Sequence, residues 1–290
     1  MKRACALIAN RGAGTFSEAR LRQLDLRLRE GGVQTQIFLG EHFSEMTSLA
    51  REFASTEEAP LVIAAGGDGT VNAVLNGLAG SRATAALLPL GTANVLALEL
   101  GLKNAEAAVS RIVAGSSRSF TAGTLRCGDR TRRFFLMAGI GVDGAVVQKV
   151  SLKVKKVFGK GAYAVAALRH AWEWETEELT VTTPEQTFSC HSLLLCNTAR
   201  YGGPAILAPE ASIFTPTLEL IGLRSMSRGA YLRFLATVLR GGVPSSADIV
   251  RLRTEKVRIN GCKPIQADGD PFGISPVEIE TEKDYLSIIV

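Results

Sequence analysis

Residues 61–80 read Leu-Val-Ile-Ala-Ala-Gly-Gly-Asp-Gly-Thr-Val-Asn-Ala-Val-Leu-Asn-Gly-Leu-Ala-Gly. The apolar run Leu61 to Ala65 has the length and flanking residues of a buried parallel strand. Gly66, Gly67 and Gly69 then surround a single carboxylate, Asp68, and Thr70 closes the loop. Val71, Val74, Leu75 and Leu78 follow at i, i+3, i+4 and i+7, the stripe of an amphipathic helix. Strand, glycine loop and helix together aim backbone N–H groups and a positive helix end at a phosphate. A carboxylate beside phosphate is repulsive unless Mg2+ intervenes or the carboxylate takes a proton from an attacking hydroxyl. The stretch therefore points to phosphoryl transfer.

Outward from this loop, the first 120 or so residues alternate strand and helix signals, which predicts an α/β layer with a parallel sheet. Residues 4–9 form a strand leading into Asn10-Arg11-Gly12-Ala13-Gly14, and Ser17 is placed to cap a helix carrying Leu21, Leu24 and Leu28. That helix stops at Gly31-Gly32, residues 33–39 form the next strand, and Ser44 starts a helix with Leu49 and Phe53 inward. A further strand at 85–90 precedes Gly91-Thr92-Ala93-Asn94 and a helix from Val95 to Leu100. Both polar glycine loops should open at the same carboxyl edge of the sheet, where open α/β sheets bind ligands.

Past Ser117 strand signals dominate, at 120–126, 133–138, 179–183, 192–197, 218–223, 256–259, 277–280 and 286–290. Turn clusters such as Arg200-Tyr201-Gly202-Gly203-Pro204 separate them, so the second domain reads as an antiparallel sandwich or barrel. Two helices interrupt it. One spans about Ala145 to Trp174, broken at Gly159-Lys160-Gly161, and the other runs from Ala230 to Arg240 with Gly241 as its stop. The boundaries are 1–120 for an α/β nucleotide-binding domain and 121–280 for the antiparallel domain.

Composition narrows the class. The 290 residues are 46% hydrophobic and 21% charged, as in a globular chain with room for two domains. No apolar run approaches the roughly 18–20 residues of a membrane span. The basic-then-apolar start is too short for a signal peptide and reads as a first strand. Cys5, Cys127, Cys190, Cys196 and Cys262 make an odd set without Cys-x-x-Cys spacing, which favours reduced thiols in a cytoplasm. His42, His170 and His191 are scattered and offer no zinc cluster. A net charge of +5 does not imply nucleic-acid binding but permits an anionic nucleotide or membrane face.

Four elements can carry the chemistry. Gly66 to Thr70 is the strongest. Pro89 to Asn94 is either a second polar jaw around the same nucleotide or a helix start capped by Thr92 or Asn94. Asn10 to Gly14 reads equally as a turn. Gln266-Ala267-Asp268-Gly269-Asp270-Pro271 is either an Asp-Gly hairpin or a pair of carboxylates that hold Mg2+ on phosphates or activate a hydroxyl.

With these elements in hand, the chain resembles the diacylglycerol kinase catalytic family, which includes bacterial lipid kinases and sphingosine and ceramide kinases. The matches run nearly end to end. They add Asn72, Asn76-Gly77, Ala138-Gly139-Ile140-Gly141-Val142-Asp143, Phe158-Gly159-Lys160-Gly161-Ala162-Tyr163, Asn197 with Tyr201-Gly202-Gly203-Pro204, and Ala208-Pro209-Glu210-Ala211. The resemblance implies a phosphofructokinase-like α/β domain, a C-terminal β-sandwich over 121–280, a cleft between them, and a last strand at about 281–290 that returns to the first domain. It also implies ATP with Mg2+ on the Gly66–Thr70 loop and a lipid alcohol, such as diacylglycerol, held by the second domain. Asp68 matches a Mg2+-site or base residue, and Asp268 the position proposed as general base. Asp270 stands where a glutamate is usual, as a nucleotide and Mg2+ residue. Asp143 matches a position near the acceptor head group. Asn10, Gly91, Thr92 and Asn94 match nucleotide contacts. On this reading Asp68, Asp268 and Asp270 converge on one magnesium–triphosphate.

Departures accompany the matches. Arg11 replaces a usual proline, Thr15 a frequent basic residue, and Val95 and Leu98 a frequent Asp and Arg. Residues 208–218 lack the Asp-Asp-Gly that holds a second, distant Mg2+ in many bacterial members. A lipid kinase must reach the bilayer, so the expected location is cytoplasmic and peripheral to the inner face of the membrane. Lys149, Lys153, Lys155, Lys156 and Lys160, with Arg130, Arg132 and Arg133, form the densest basic stretch to meet an anionic surface. Two alternatives stay open: an NAD kinase-like enzyme sharing the Gly-Gly-Asp-Gly-Thr loop, and a non-catalytic lipid-binding protein on the same fold.

Overall fold

The computed structural model describes residues 4–13, 16–149 and 177–290. Gly14, Thr15, the Phe158 to Tyr163 motif, His170 and Lys153, Lys155, Lys156 and Lys160 lie outside the described residues, as does the expected helix from 150 to 174. The chain divides into one unit of Met1–Thr121 with Lys283–Val290 and another of Ala122–Glu282.

The first unit is an α/β layer. Strands β1 (Cys5–Asn10), β2 (Thr35–Gly40), β3 (Leu61–Gly66) and β4 (Thr84–Pro89) alternate with helices α1 (Glu18–Glu30), α2 (Phe43–Thr56) and α3 (Asp68–Gly77). Helices α4 (Val95–Glu99) and α5 (Ala105–Ala114) follow, and β5 (Ser117–Cys127) carries the chain onward. The sheet order is β2-β1-β3-β4, all parallel. Its apolar runs are buried along nearly their whole length, as a strand covered on both faces requires. Ser17 Oγ accepts from the Arg20 N–H and α1 buries Leu21, Leu24 and Leu28, as its spacing predicts. In α2 the inward line is Met46 and Ala50, with Leu49 and Phe53 only half-buried, and the helix begins one residue before Ser44. Helix α3 is buried on almost all sides rather than along one stripe, Thr70 to Leu75 being buried without a break. A Cβ on Gly77 would collide with the Thr47 carbonyl of α2.

The second unit is antiparallel. Its strands are β6 (Arg130–Phe134), β7 (Met137–Ile140), β8 (Leu179–Thr182), β9 (Thr187–Cys190), β10 (Ser192–Cys196), β11 (Arg200–Tyr201), β12 (Ala205–Ile206) and β13 (Leu218–Leu223). They continue with β14 (Ile249–Thr254), β15 (Lys256–Asn260), β16 (Pro264–Ala267), β17 (Asp270–Ile274) and β18 (Val277–Ile289). One layer runs β14-β13-β10-β7-β16-β17. The other contains the β8–β9 and β5–β6 hairpins and β15, which pairs with β18. Leu193, Leu195, Leu218, Leu220, Ile265 and Ile279 belong to the apolar core of the sandwich. Helices α6 (Val142–Lys149) and α7 (Arg228–Leu239) pack on one another through Val142, Val146, Ala230 and Tyr231. Helix α7 ends in paired N–H bonds from Gly241 to Val238 and from Gly242 to Thr237, with Gly241 at φ 76°.

Three strand expectations change. Residues 277–280 and 286–290 are parts of one strand, β18, which pairs antiparallel with β15 at Val277–Glu280 and parallel with β4 at Ser287 and Ile288. The expected strand at 133–138 is two strands separated by Phe135 and Leu136. Strand β14 gave too weak an alternation to be read, and the β16–β17 hairpin realises the Asp-Gly reading offered at Asp268-Gly269. Two of the basic residues expected to face a bilayer are committed elsewhere. Arg133 Nε stands 2.6 Å from Glu282 and Arg132 Nη2 2.9 Å from Asp270, while Arg130 lies over the Phe272 ring. No helix among the described residues is long and apolar enough to cross a membrane.

Phe134, fully buried, lays its ring across Gly123 on the paired strand, so any side chain there collides with it. Gly123→Ala should therefore cost about 1–3 kcal/mol of stability through overpacking, read as a lowered urea midpoint with an unchanged m-value.

Candidate functional site

The parallel register aligns the strand ends of the first unit. Asn10 pairs with Gly40, Ala9 with Ala65, and Gly66 with Pro89, so the loops after β1, β3 and β4 leave from one carboxyl edge. After β3 a single extended residue, Gly67, separates the strand from α3, and Asp68 opens the helix. The loop after β4 lies directly against it. The Leu90 N–H donates to the Gly66 carbonyl at 3.0 Å, and a Cβ on Gly91 would collide with the Cα of Gly67. A Cβ on Gly66 would strike the Thr70 side chain, which is buried against it. Gly91 is thus a glycine because the two loops touch, and Gly66 because the Thr70 side chain packs against it. Gly69 differs: it is exposed, and a Cβ there meets nothing within 4 Å.

Asn94 adopts the left-handed conformation (φ 48°, ψ 48°). Its Oδ1 accepts from the Gly91 N–H at 2.9 Å and its Nδ2 donates to the Gly91 carbonyl at 2.8 Å. It therefore closes its own loop and does not cap α4 through its side chain, and Thr92 lies exposed at the loop tip. The acceptor at the start of α4 is Asp68, whose Oδ1 stands 3.4 Å from the Leu96 nitrogen. Burial pushes the Asp68 carboxyl above the ordinary range, while the N–H groups of 94–96 pull it down. Asn10 caps the neighbouring turn, its Oδ1 accepting from the Gly12 N–H at 2.8 Å. Asn10, Gly66, Gly67, Asp68, Gly91, Thr92 and Asn94 are accordingly brought to one edge, with Thr70 turned inward.

In the second unit Asp268 and Gly269 both have positive φ (50° and 84°) and join the paired residues Ala267 and Asp270. This is the two-residue hairpin turn that Asp-Gly favours. The Asp268 carboxylate turns into the protein. It accepts from the Phe135, Leu136 and Met137 N–H groups at 2.8, 2.9 and 3.0 Å. The same peptide segment is held from its other side by Asn197, whose N–H donates to the Leu136 carbonyl at 2.8 Å and whose Nδ2 donates to the Phe135 carbonyl at 3.1 Å. Burial raises Asp268 to about 6, outweighing the three N–H donors and Arg132, which lower it. Asp270 pairs instead with Arg132.

Asp143 stands in the first turn of α6. It accepts from the Tyr201 hydroxyl and from Gln266 Nε2, and Gln266 Oε1 accepts in turn from the Gly269 N–H at 2.8 Å. A chain of hydrogen bonds thus runs from Asp143 through Gln266 to the turn that bears Asp268. Burial raises the Asp143 carboxyl, and burial beside that carboxylate keeps Tyr201 protonated well above its usual range. Gly139 is a glycine because a Cβ would occupy the place of the Asp143 carboxylate, and Gly144 because α6 touches the Pro264 carbonyl. Sequence reading gave Gln266 no role. A glutamine at an inward position of a buried strand was the available signal, because a buried amide needs partners.

Comparison with known proteins agrees with both halves of the chain. Residues 4–125 match the diacylglycerol kinase catalytic domain, and residues 137–290 match the YegS C-terminal NAD kinase beta sandwich-like domain. The chain is similar to a diacylglycerol kinase of Bacillus subtilis (strain 168), 26% identical over 298 residues that cover 100% of this chain and 97% of the relative. It is 31% identical, over 84% of its own length and 80% of the relative's, to a protein of Chromohalobacter salexigens named "Probable lipid kinase YegS-like". Its fold is similar to the crystal structure of a diacylglycerol kinase from Bacillus anthracis str. Sterne, with a TM-score of 0.75 at 22% identity, covering 99% and 96% of the two chains.

The two kinds of glycine should separate in the test tube. Gly91→Ala should cost about 1–3 kcal/mol, since the loops must part, whereas Gly69→Ala should change stability by no more than about 0.5 kcal/mol, both read by denaturant titration.

Proposed function

Because the chain belongs to the diacylglycerol kinase catalytic family, we propose that it transfers the γ-phosphoryl group of ATP to the hydroxyl of a lipid alcohol, diacylglycerol being the representative acceptor. The observation that supports this most is the contact of the Gly66–Thr70 and Gly91–Asn94 loops at the carboxyl edge of a parallel sheet, with the Asp68 carboxylate between them. Gly69, open to the surroundings, allows the backbone of the first turn of α3 to approach the phosphates closely. Asn10, Gly66, Gly67, Thr70, Thr92 and Asn94 shape the same edge.

Among the described residues no three His, Cys, Asp or Glu side chains form a metal cage. The single Asp68 carboxylate beside the glycine loop fits Mg2+ brought by ATP, which takes one or two carboxylates together with phosphate oxygens and water. Asp68 is the residue that would hold it, with Asp270 a second candidate only after release from Arg132. When bound, the ion neutralises charge on the triphosphate. Asp268 takes the proton from the acceptor hydroxyl as the new O–P bond forms and ADP departs with the bond it breaks; Asp68 is the alternative base. Asp143, with Tyr201 donating to it, binds polar groups of the acceptor head.

Incubation with labelled ATP, Mg2+ and a total lipid extract should yield a phosphorylated lipid, identified by mass spectrometry. Labelling of NAD in a parallel incubation with NAD and ATP would establish the NAD kinase-like alternative, and lipid retained on the purified protein without turnover would establish a binding protein. Asp268→Asn should lower turnover roughly 10²–10⁴-fold. Loss at an unchanged melting temperature separates a base from a loop anchor, whose removal would also loosen the Phe135 to Met137 segment. The reactive form is the carboxylate, present above its raised value of about 6. Wild-type kcat/KM should therefore be flat above about pH 6 and fall about tenfold per unit below it.

A further inference from the structure

The sequence segment between Leu223 and Asp248 contains four arginines, Arg224, Arg228, Arg233 and Arg240, and no carboxylate. Half of it is α7, in which residues seven apart share a face, because each residue turns the helix by about 100°. Three such faces lie side by side. Tyr231 and Val238 turn inward, packing in the apolar clusters on the outer side of the β14–β17 sheet. Leu232 and Leu239 follow, one step around, and are 42% and 63% exposed. Arg233 and Arg240 come next, both exposed, and Arg228 stands one turn before Leu232. Val243, 39% exposed, extends the apolar stripe beyond the helix end. A leucine stripe between a buried face and an arginine face is the pattern of a helix that lies in a membrane interface.

Resting on the lipid-kinase reading, we infer that α7 with Val243 is the surface by which this protein docks on an anionic phospholipid bilayer. Charge selects this occupant: the segment offers cations and no anion of its own, and an anionic leaflet supplies the complement. Arg132 and Arg133, expected from sequence to serve, are tied to Asp270 and Glu282. Arg233 keeps an exposed ion pair with Asp248 at 3.0 Å, so Arg228 and Arg240 carry more of the attraction. Position also suits the acceptor site. Tyr231, on the inward face of α7, packs against Val142 and Val146, the residues of α6 that flank Asp143. Leucines that enter the bilayer one residue along from Tyr231 bring that carboxylate close to the leaflet from which a lipid head group would be taken.

The test is co-sedimentation of the full-length chain with vesicles of phosphatidylcholine alone and of phosphatidylcholine mixed equally with phosphatidylglycerol. The wild type should bind the mixed vesicles, weakly at high salt, and the neutral ones poorly. L232Q/L239Q should lose roughly tenfold or more in partitioning, through removal of buried apolar area. R228Q/R240Q should lose the preference for phosphatidylglycerol. Both variants should keep the wild-type melting curve and the wild-type rate on a short-chain, water-soluble acceptor. Absence of wild-type binding, or variants that partition like the wild type, would overturn the surface while leaving the kinase reading intact. Binding through α7 in a protein that phosphorylates no lipid would support the surface and remove the kinase.

Discussion

The contact between the backbones at Gly67 and Gly91 governs the first unit. Two loops from adjacent parallel strands can share one edge only if neither carries a side chain where they meet, and here both positions are glycine. Their closeness sets where Asp68 can go. With its carboxylate at the start of α4, it answers the unpaired N–H groups of a helix of only five residues. The same carboxylate is thus a structural cap until something more strongly charged competes for it. Burial raises the Asp68 carboxyl and the N–H groups of 94–96 lower it, so its proton affinity is set by the loop contact itself.

The second unit handles its carboxylates differently. Asp268 is fixed by three peptide N–H groups and by a hairpin whose left-handed conformation leaves the side chain little choice of direction. Hydrogen bonds to a carboxylate favour the ionised form and burial opposes it, and at Asp268 burial prevails. The outcome suits a proton acceptor, which works best when its affinity for protons is near the working pH. Asp143 and Gln266 complete the network, two hydrogen bonds joining the Asp143 carboxylate to the Asp268 turn.

Much of the fold was legible from local patterns. Apolar runs bounded by glycine gave the parallel strands, Ser17 and Gly31 gave the ends of α1, and Gly241 gave the end of α7, each through a short-range rule. The failures share a cause. Residues 277–289 read as two strands because their middle, Thr281 to Asp284, is polar; one strand continues through it because the two halves pair with different partners, β15 and β4. The inward line of α2 fell on Met46 and Ala50 rather than on the larger Leu49 and Phe53, since Gly77 of α3 admits only a small residue opposite it. Neither pairing nor close approach is written in a local window.

The sequence by itself determined the glycine loop, the alternation of strands and helices in the first unit, and the family, and it offered the Asp-Gly turn. These depend on backbone conformations and apolar periods that a few neighbouring residues impose. Tertiary structure alone decided what each carboxylate does: Asp68 at the start of α4, Asp268 on the Phe135 to Met137 peptides, Asp270 on Arg132, Asp143 on Tyr201 and Gln266. Their partners lie from 28 to 138 residues away along the chain. Burial and hydrogen bonding, which fix the proton affinity of an acid, belong to the space around it and not to its neighbours in sequence.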